Sequence, residues 1–301
     1  MQAEHYLAPR GIRVLDPERG VPPMIKSILV ALDGSEHAAA ALDYGLWMAQ
    51  RTNGRVTGLH VIDIVSIEGS FMHDISGSLG FEPYLDFSAK MREALRERGE
   101  VLLDAFEKRC RERGIACDRV LAMGIVANEI CEHARIADVV AIGHRGINEQ
   151  FSTGLLGSTT ESVTRKSPKP VFVSPMRFGE PKRPLLAYDG SPRSSLAMHE
   201  AAEFASAFGV PLTVLHVARD ESEAAKVLGE ARRYLEPYGV EFHVETHLGP
   251  PHEGIVHMIR EHGYDLLFIG AYGHSRIIEM VLGSTTEYVL RNSPCPVFLT
   301  R

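Results

Sequence analysis

Two stretches of this 301-residue chain carry the residue types that hold phosphate. One runs Gly270-Ala271-Tyr272-Gly273 and, nine residues later, Gly283-Ser284-Thr285-Thr286. The other runs Gly143-His144-Arg145-Gly146 and, ten residues later, Gly157-Ser158-Thr159-Thr160. Glycines let a backbone come close to a ligand and take conformations that other residues avoid. A helix start adds unpaired N–H groups and the positive end of a dipole, which suits an anion. The serines and threonines add hydroxyl donors, and Glu287 to Asn292 after them reads as a helix. Alone, either stretch is equally well explained by a glycine-rich turn that only redirects the chain. The repetition argues for a site.

The flanking residues repeat as well. Asp138 to Ile142 and Leu266 to Ile269 are short apolar runs that predict buried parallel strands. Ser167-Pro168-Lys169-Pro170-Val171-Phe172-Val173 is matched by Ser293-Pro294-Cys295-Pro296-Val297-Phe298-Leu299. Upstream, Ser27 to Leu32 leads into Asp33-Gly34-Ser35, and Leu185 to Tyr188 into Asp189-Gly190-Ser191. Ser35 and Ser191 read as helix N-caps, with Pro192 at a first helical position. Asp33 and Asp189 are 156 residues apart, as are His60 and His216; Gly124 and Gly249 are 125 apart, Gly143 and Gly270 127. The difference of about thirty is an insertion in the first half. It falls in Asp63 to Ser88, read as a long loop and a candidate lid over the first site. A charged helix over about Ala89 to Arg113 follows.

Alternating strands and helices imply two tandem α/β domains, each with an open five-stranded parallel sheet of Rossmann-like type. The boundaries read as an N-terminal extension over 1–23, then domains over 24–176 and 182–301. Ligands of such sheets bind beyond the carboxyl ends of the strands, where the strand order reverses. Asp33, Val61, Gly124 and the first glycine loop all fall at such ends; so do Asp189, Val217, Gly249 and the second loop.

Composition narrows the alternatives. A formal charge of −7 argues against a nucleic-acid surface, and no apolar run is long enough for a membrane span. The first residues lack the apolar core of a secretory leader. Cys110, Cys117, Cys131 and Cys295 form no C-x-x-C pair and read as reduced cytosolic thiols, so a cytoplasmic location is expected. No P-loop, dinucleotide fingerprint or nucleophile elbow occurs. His247, His252, His257 and His262 recur every five residues; on a helix neighbours would turn by about 140° and share no face. They read as solvated or capping residues, not as metal ligands. His60 and His216 read as packed strand residues, whereas His144 and His274 sit where a phosphate would be. Glu161 and Glu287 suit the start of a helix dipole and are not read as bases. Arg276 is as well read as a surface arginine as a phosphate ligand.

Over about Met24 to Arg301, in two copies, these motifs resemble the universal stress protein family, in its ATP-binding subclass. The second half carries that subclass's G-x2-G-x9-G-S/T as Gly270, Gly273, Gly283 and Ser284; the first has ten residues where the pattern has nine. Leu59-His60-Val61 and Leu215-His216-Val217 match the family's second strand. The resemblance implies that Asp33 and Asp189 hold adenosine and that the backbones of Val61 and Val217 meet adenine. It puts Gly143 and Gly270 against ribose. Phosphates would fall to Gly146, Gly157, Ser158 and Thr160, and to Gly273, Gly283, Ser284 and Thr286. It also implies pairing of the fifth strands between the two halves, a pseudo-twofold unit, with a further homodimer as the expected next level.

The reading is a tandem ATP-binding protein, with Mg or Mn as the divalent ion should one accompany the nucleotide. Occupancy would bias shape or partner binding in stress signalling, through protein partners the sequence does not name. No catalytic residue is assigned. Two other classes stay open: a weak Mg- or Mn-dependent ATPase or phosphotransferase, and a nucleotide-free dimerisation or interaction module.

Overall fold

The computed structural model describes residues 25–64, 81–147, 156–271 and 283–301, without the side chains of 81–88. The N-terminal extension, most of the candidate lid, Tyr272, Gly273, His274 and Arg276 lie outside the described residues.

Each half is an open five-stranded parallel sheet with helices on both faces. The first comprises β1 (Ser27–Ala31), α1 (Glu36–Thr52), β2 (Arg55–Asp63), α2 (Phe81–Glu112), β3 (Ala116–Gly124), α3 (Val126–Ala134), β4 (Val139–Gly143), α4 (Ser158–Lys166) and β5 (Val171–Ser174). The second comprises β6 (Pro184–Ala187), α5 (Pro192–Phe208), β7 (Leu212–Ala218), α6 (Glu221–Leu235), a 3-10 turn (Glu236–Tyr238), β8 (Phe242–Leu248), α7 (Pro251–His262), β9 (Leu266–Gly270), α8 (Ser284–Asn292) and β10 (Val297–Thr300). The strand order is β3-β2-β1-β4-β5-β10-β9-β6-β7-β8. β1 therefore lies between β2 and β4, and β6 between β7 and β9. The order reverses at β1/β4 and β6/β9, as the doubly wound rule requires.

The halves join through β5 and β10, which pair antiparallel with Phe172 opposite Phe298. The pairing of the fifth strands that the resemblance implies is present, and within the chain they cover each other. The edges of the ten-stranded sheet are β3 and β8, so neither fifth strand is left to pair with a second chain.

Successive strand residues face opposite sides, so each apolar strand feeds two cores. In β4, Val139 and Ala141 join one cluster while Val140 and Ile142 join the other. Both clusters run across both halves. The first includes a seam between α1 and α5, where Trp47 stacks on Phe208 at 4.5 Å and Phe208 on Phe204 at 4.1 Å. The connection between halves lies on this seam: Phe178 meets Tyr44 and Trp47, and the Gly179 N–H donates to the Tyr44 hydroxyl at 3.1 Å.

Local signals account for the element ends. Ser35 and Ser191 cap α1 and α5 through their hydroxyls, and Asn53 and Gly209 end those helices in the left-handed region. Two boundaries differ from the sequence reading. Residues 81–88, read as loop, are the start of α2. Phe81, Tyr84, Phe87, Met91 and Leu95 recur at three- and four-residue spacing, a helical period, and Pro83 falls in the first turn, where no N–H is needed. The hydroxyl residues Ser284 to Thr286, read as preceding a helix from Glu287, form its first turn.

Candidate functional site

The two candidate sites lie at the two strand-order reversals. In the first, Asp33 leaves β1 beside the loop that leaves β4. One Asp33 oxygen accepts the Ser35 N–H at 2.9 Å, and the other accepts the Ile147 N–H at 3.0 Å. The aspartate thus ties the N-cap of α1 to the glycine loop. Gly146 is the close approach: a Cβ there would stand 2.8 Å from the Asp33 carboxylate. Asp189 repeats the first tie, accepting the Ser191 N–H at 2.9 Å.

The histidines of the second strands help position these aspartates. Nδ1 of His60 lies 2.6 Å from the Leu32 carbonyl, and Nδ1 of His216 lies 2.8 Å from the Tyr188 carbonyl. A carbonyl only accepts, so each ring carries its proton on Nδ1. Both rings therefore hold the residue just before the aspartate. The signal was available in the sequence, since the histidines share the aspartates' offset of 156.

Gly143 and Gly270 end β4 and β9 against the first turns of α1 and α5. A Cβ on Gly143 would meet the His37 backbone carbon at 2.8 Å, and one on Gly270 the Arg193 backbone at 2.6 Å. These glycines are needed for helix-on-strand packing, whatever else they touch. Beyond them, the Gly157 N–H donates to the His144 carbonyl at 3.1 Å, closing the loop onto the start of α4. The first bonds of α4 and α8 run from Glu161 to Gly157 and from Glu287 to Gly283. The N–H groups of Ser158 to Thr160 and of Ser284 to Thr286 precede those bonds and have no intrahelical partner.

Ser158 and Ser284 are exposed, while Thr159, Thr285, Gly157 and Gly283 are half-buried. Thr160 and Thr286 depart from the expected role of hydroxyl donors to phosphate. Both are buried, and their hydroxyls donate to the glycine carbonyls, Thr160 to Gly143 at 2.7 Å and Thr286 to Gly270 at 3.4 Å. They anchor the loop to the helix, and only their backbone N–H groups are left for an anion. Val61 and Val217 are half-buried near the ends of β2 and β7; Gly124 is buried at the end of β3, and Gly249 is exposed just after β8.

The acidic residues of these helices are engaged. Glu161 pairs with Arg165, and Glu287 with Arg291 at 2.6 Å. Burial pushes the Cys110 and Cys295 thiols up to about 12 and also raises Cys131, which disfavours the thiolate in all three. The five-residue histidine series is not confined to a helix: His247 is on β8, and its ring lies 5.3 Å from that of His257 on α7. Among the described residues, no group of three or more His, Cys, Asp or Glu side chains is placed to hold a metal ion. Likewise, no helix is long and apolar enough to cross a membrane.

Known proteins share this arrangement. The universal stress protein family matches the chain over residues 24–175 and again over 181–301. A universal stress protein of Synechocystis is 30% identical over 287 residues, which cover 92% of this chain and 100% of the relative. One of Mycolicibacterium smegmatis is 24% identical over 300 residues, covering 91% of this chain and 96% of the relative. The crystal structure of a universal stress protein from Archaeoglobus fulgidus has a TM-score of 0.71 at 26% identity, covering 91% of this chain and 97% of that one. The chain belongs to the universal stress protein family, as a tandem of two copies.

Proposed function

We propose that the chain binds ATP in each half, at the G-x2-G-x9/10-G-S loops, and acts as a nucleotide-dependent sensor. The observation that carries this reading is the pairing of an aspartate with a glycine loop where the strand order reverses, at β1/β4. At the second reversal Asp189 follows β6 and Gly270 ends β9. A carboxylate suits a ribose hydroxyl or an adenine amine. Glycine and helix N–H groups suit the phosphates. The small residues leave room: the loop approaches Asp33 through Gly146, where any side chain would fill the gap. A divalent ion, Mg or Mn, would be carried by the triphosphate itself, as Mg is in many nucleotide sites.

A binding role follows from chemistry the loops do supply. Fast hydrolysis would need a positioned water and charge stabilisation at the terminal phosphate. The carboxylates nearest the helix starts, Glu161 and Glu287, are each held by an arginine one turn on. Occupancy would act by fixing the glycine loops and, with them, the surface offered to a protein partner.

The test is direct. Protein purified without added nucleotide is denatured, and released nucleotides are identified and counted by chromatography and mass spectrometry. Two ATP per chain are expected. Asp33→Ala and Asp189→Ala should each remove one, by lowering affinity about tenfold or more. No release, with no binding on adding Mg-ATP, would overturn the reading.

A further inference from the structure

Each helix that begins at one half's glycine loop ends against the other half. The α8 helix starts at Ser284, and near its other end the Leu290 carbonyl accepts a hydrogen bond from Nε2 of His144, at 2.6 Å. His144 belongs to the first half's loop. The α4 helix starts at Ser158, and the Ser167 carbonyl that closes it accepts from the Arg301 guanidinium at 3.2 Å. Arg301 follows Thr300, whose carbonyl takes the Ala271 N–H at 2.6 Å, next to Gly270 of the second loop. Both contacts therefore put a cation-capable group of one half on the carbonyl end of the other half's helix, where the dipole is negative.

His144 is bound on three sides. Its N–H donates to the Ser174 carbonyl at 2.8 Å, its carbonyl receives the Gly157 N–H, and its ring reaches Leu290. These contacts join Gly157 to α8, a rod of nine residues or about 13 Å, whose far end is the second cradle. The two contacts are not copies of one another. The position equivalent to His144 is Ala271, and the stretch equivalent to Arg301 begins the connection at Pro175. Each half brings its own residue to the same kind of place.

We propose that the two glycine-loop sites are coupled through these crossed contacts, His144 on the end of α8 and Arg301 on the end of α4. The proposal rests on the nucleotide reading above. Occupancy of the first loop draws His144 and biases the start of α8; occupancy of the second draws Arg301 and biases the start of α4. Coupling of this kind is reciprocal and typically changes affinity by about fivefold or more.

Amide hydrogen exchange reads it on the full chain. In an Asp189→Ala chain brought to one Mg-ATP per molecule, amides 288–292 of α8 should exchange about fivefold more slowly than without nucleotide. Adding His144→Ala should abolish that change while α8 stays folded. Because His144 also lies in a candidate site, the opposite arm uses a residue outside both. In an Asp33→Ala chain, Mg-ATP should slow exchange in α4, and Arg301→Ala should remove the effect. Nucleotide bound with α8 and α4 unmoved, or moved equally after both substitutions, overturns the coupling alone. Failure of the unsubstituted chain to bind Mg-ATP overturns the nucleotide reading and the coupling with it.

Discussion

The two halves build the same joint from different chemistry. In the first, Asp43 on α1 pairs with Arg109 and Arg113, one helical turn apart at the end of α2. In the second, the equivalent positions hold His199, Tyr234 and Tyr238. Nδ1 of His199 lies 3.1 and 3.0 Å from the two hydroxyls, which are 2.8 Å apart. An ionic trio and a hydrogen-bonded His–Tyr–Tyr trio thus tie the same two segments. The core shows the same freedom. Beneath α2, Gly58 of β2 faces Phe106; the equivalent pair in the second half is Val214 and Ala231. Volume is moved from helix to strand. The comparison shows what the fold demands: a polar tie and a filled gap at fixed places. The glycine loops, by contrast, keep their glycines and the Ser-Thr-Thr that follows in both halves.

The core exchange offers the sharpest break. A Cβ on Gly58 would stand 2.7 Å from the Phe106 ring, so Gly58→Val overpacks the first half. Phe106→Ala leaves a cavity. Each should lower unfolding free energy by about 3 kcal/mol. Together they recreate the second half's pair, so the double variant should lose about 3 kcal/mol less than the sum of the singles. Urea unfolding of the four chains measures this cycle. Additive losses would mean that the two halves are not equivalent at this layer.

A second unequal pair lies on the seam between α1 and α5. Tyr44 in the first half is matched by Glu200 in the second. Burial first, then the neighbouring carboxylates of Glu203 and of Asp138 from the first half, push Glu200 up to about 7. A raised folded value means that the native state holds the proton more tightly than the unfolded chain. Its stabilising contribution is complete below the unfolded value of 4.5 and is lost as pH rises through about 7. Glu200→Gln should therefore raise stability at pH 8 by on the order of 1–2 kcal/mol and change it little at pH 4. Thermal melts across that range measure the difference. An equal effect at both ends would remove the seam's pH dependence.

Much of this was legible before any coordinates, and the reasons differ by element. The strands at β1, β4, β6 and β9 announce themselves because they are buried on both faces and so are almost wholly apolar. The aspartates and glycine loops could be placed because they follow those strands. Alternating elements implied the parallel sheet, but the order of its strands, and with it the reversal at β1/β4, depends on how the crossovers pack. The start of α2 was missed because its aromatic residues directly follow the run Ser76-Gly77-Ser78-Leu79-Gly80, which reads as loop and masked the helical period. The tasks of Thr160 and Thr286 were missed because a buried threonine bonding a carbonyl and an exposed one facing a phosphate look alike in sequence. His144 reaching Leu290, 146 positions away, depends on how two sheets meet, and no local pattern encodes that.

The smallest expected effect tests the trios themselves. Asp43 is about a quarter exposed and Arg109 a third, so the ionic tie is partly screened. Asp43→Ala should cost about 1 kcal/mol at low salt, and part of that cost should vanish in 1 M sodium chloride, where the screening length falls to about 3 Å. His199→Ala removes a hydrogen-bond partner from two hydroxyls and should also cost about 1 kcal/mol, but equally at both salt levels. Unfolding midpoints of the two variants at two ionic strengths separate these behaviours. The comparison sharpens further with Asp43→His, Arg109→Tyr and Arg113→Tyr combined. If position alone defines the joint, that chain should recover the stability lost by Asp43→Ala and lose its salt dependence. If it stays as unstable as Asp43→Ala, the tyrosines of the second half depend on neighbours that the first half lacks.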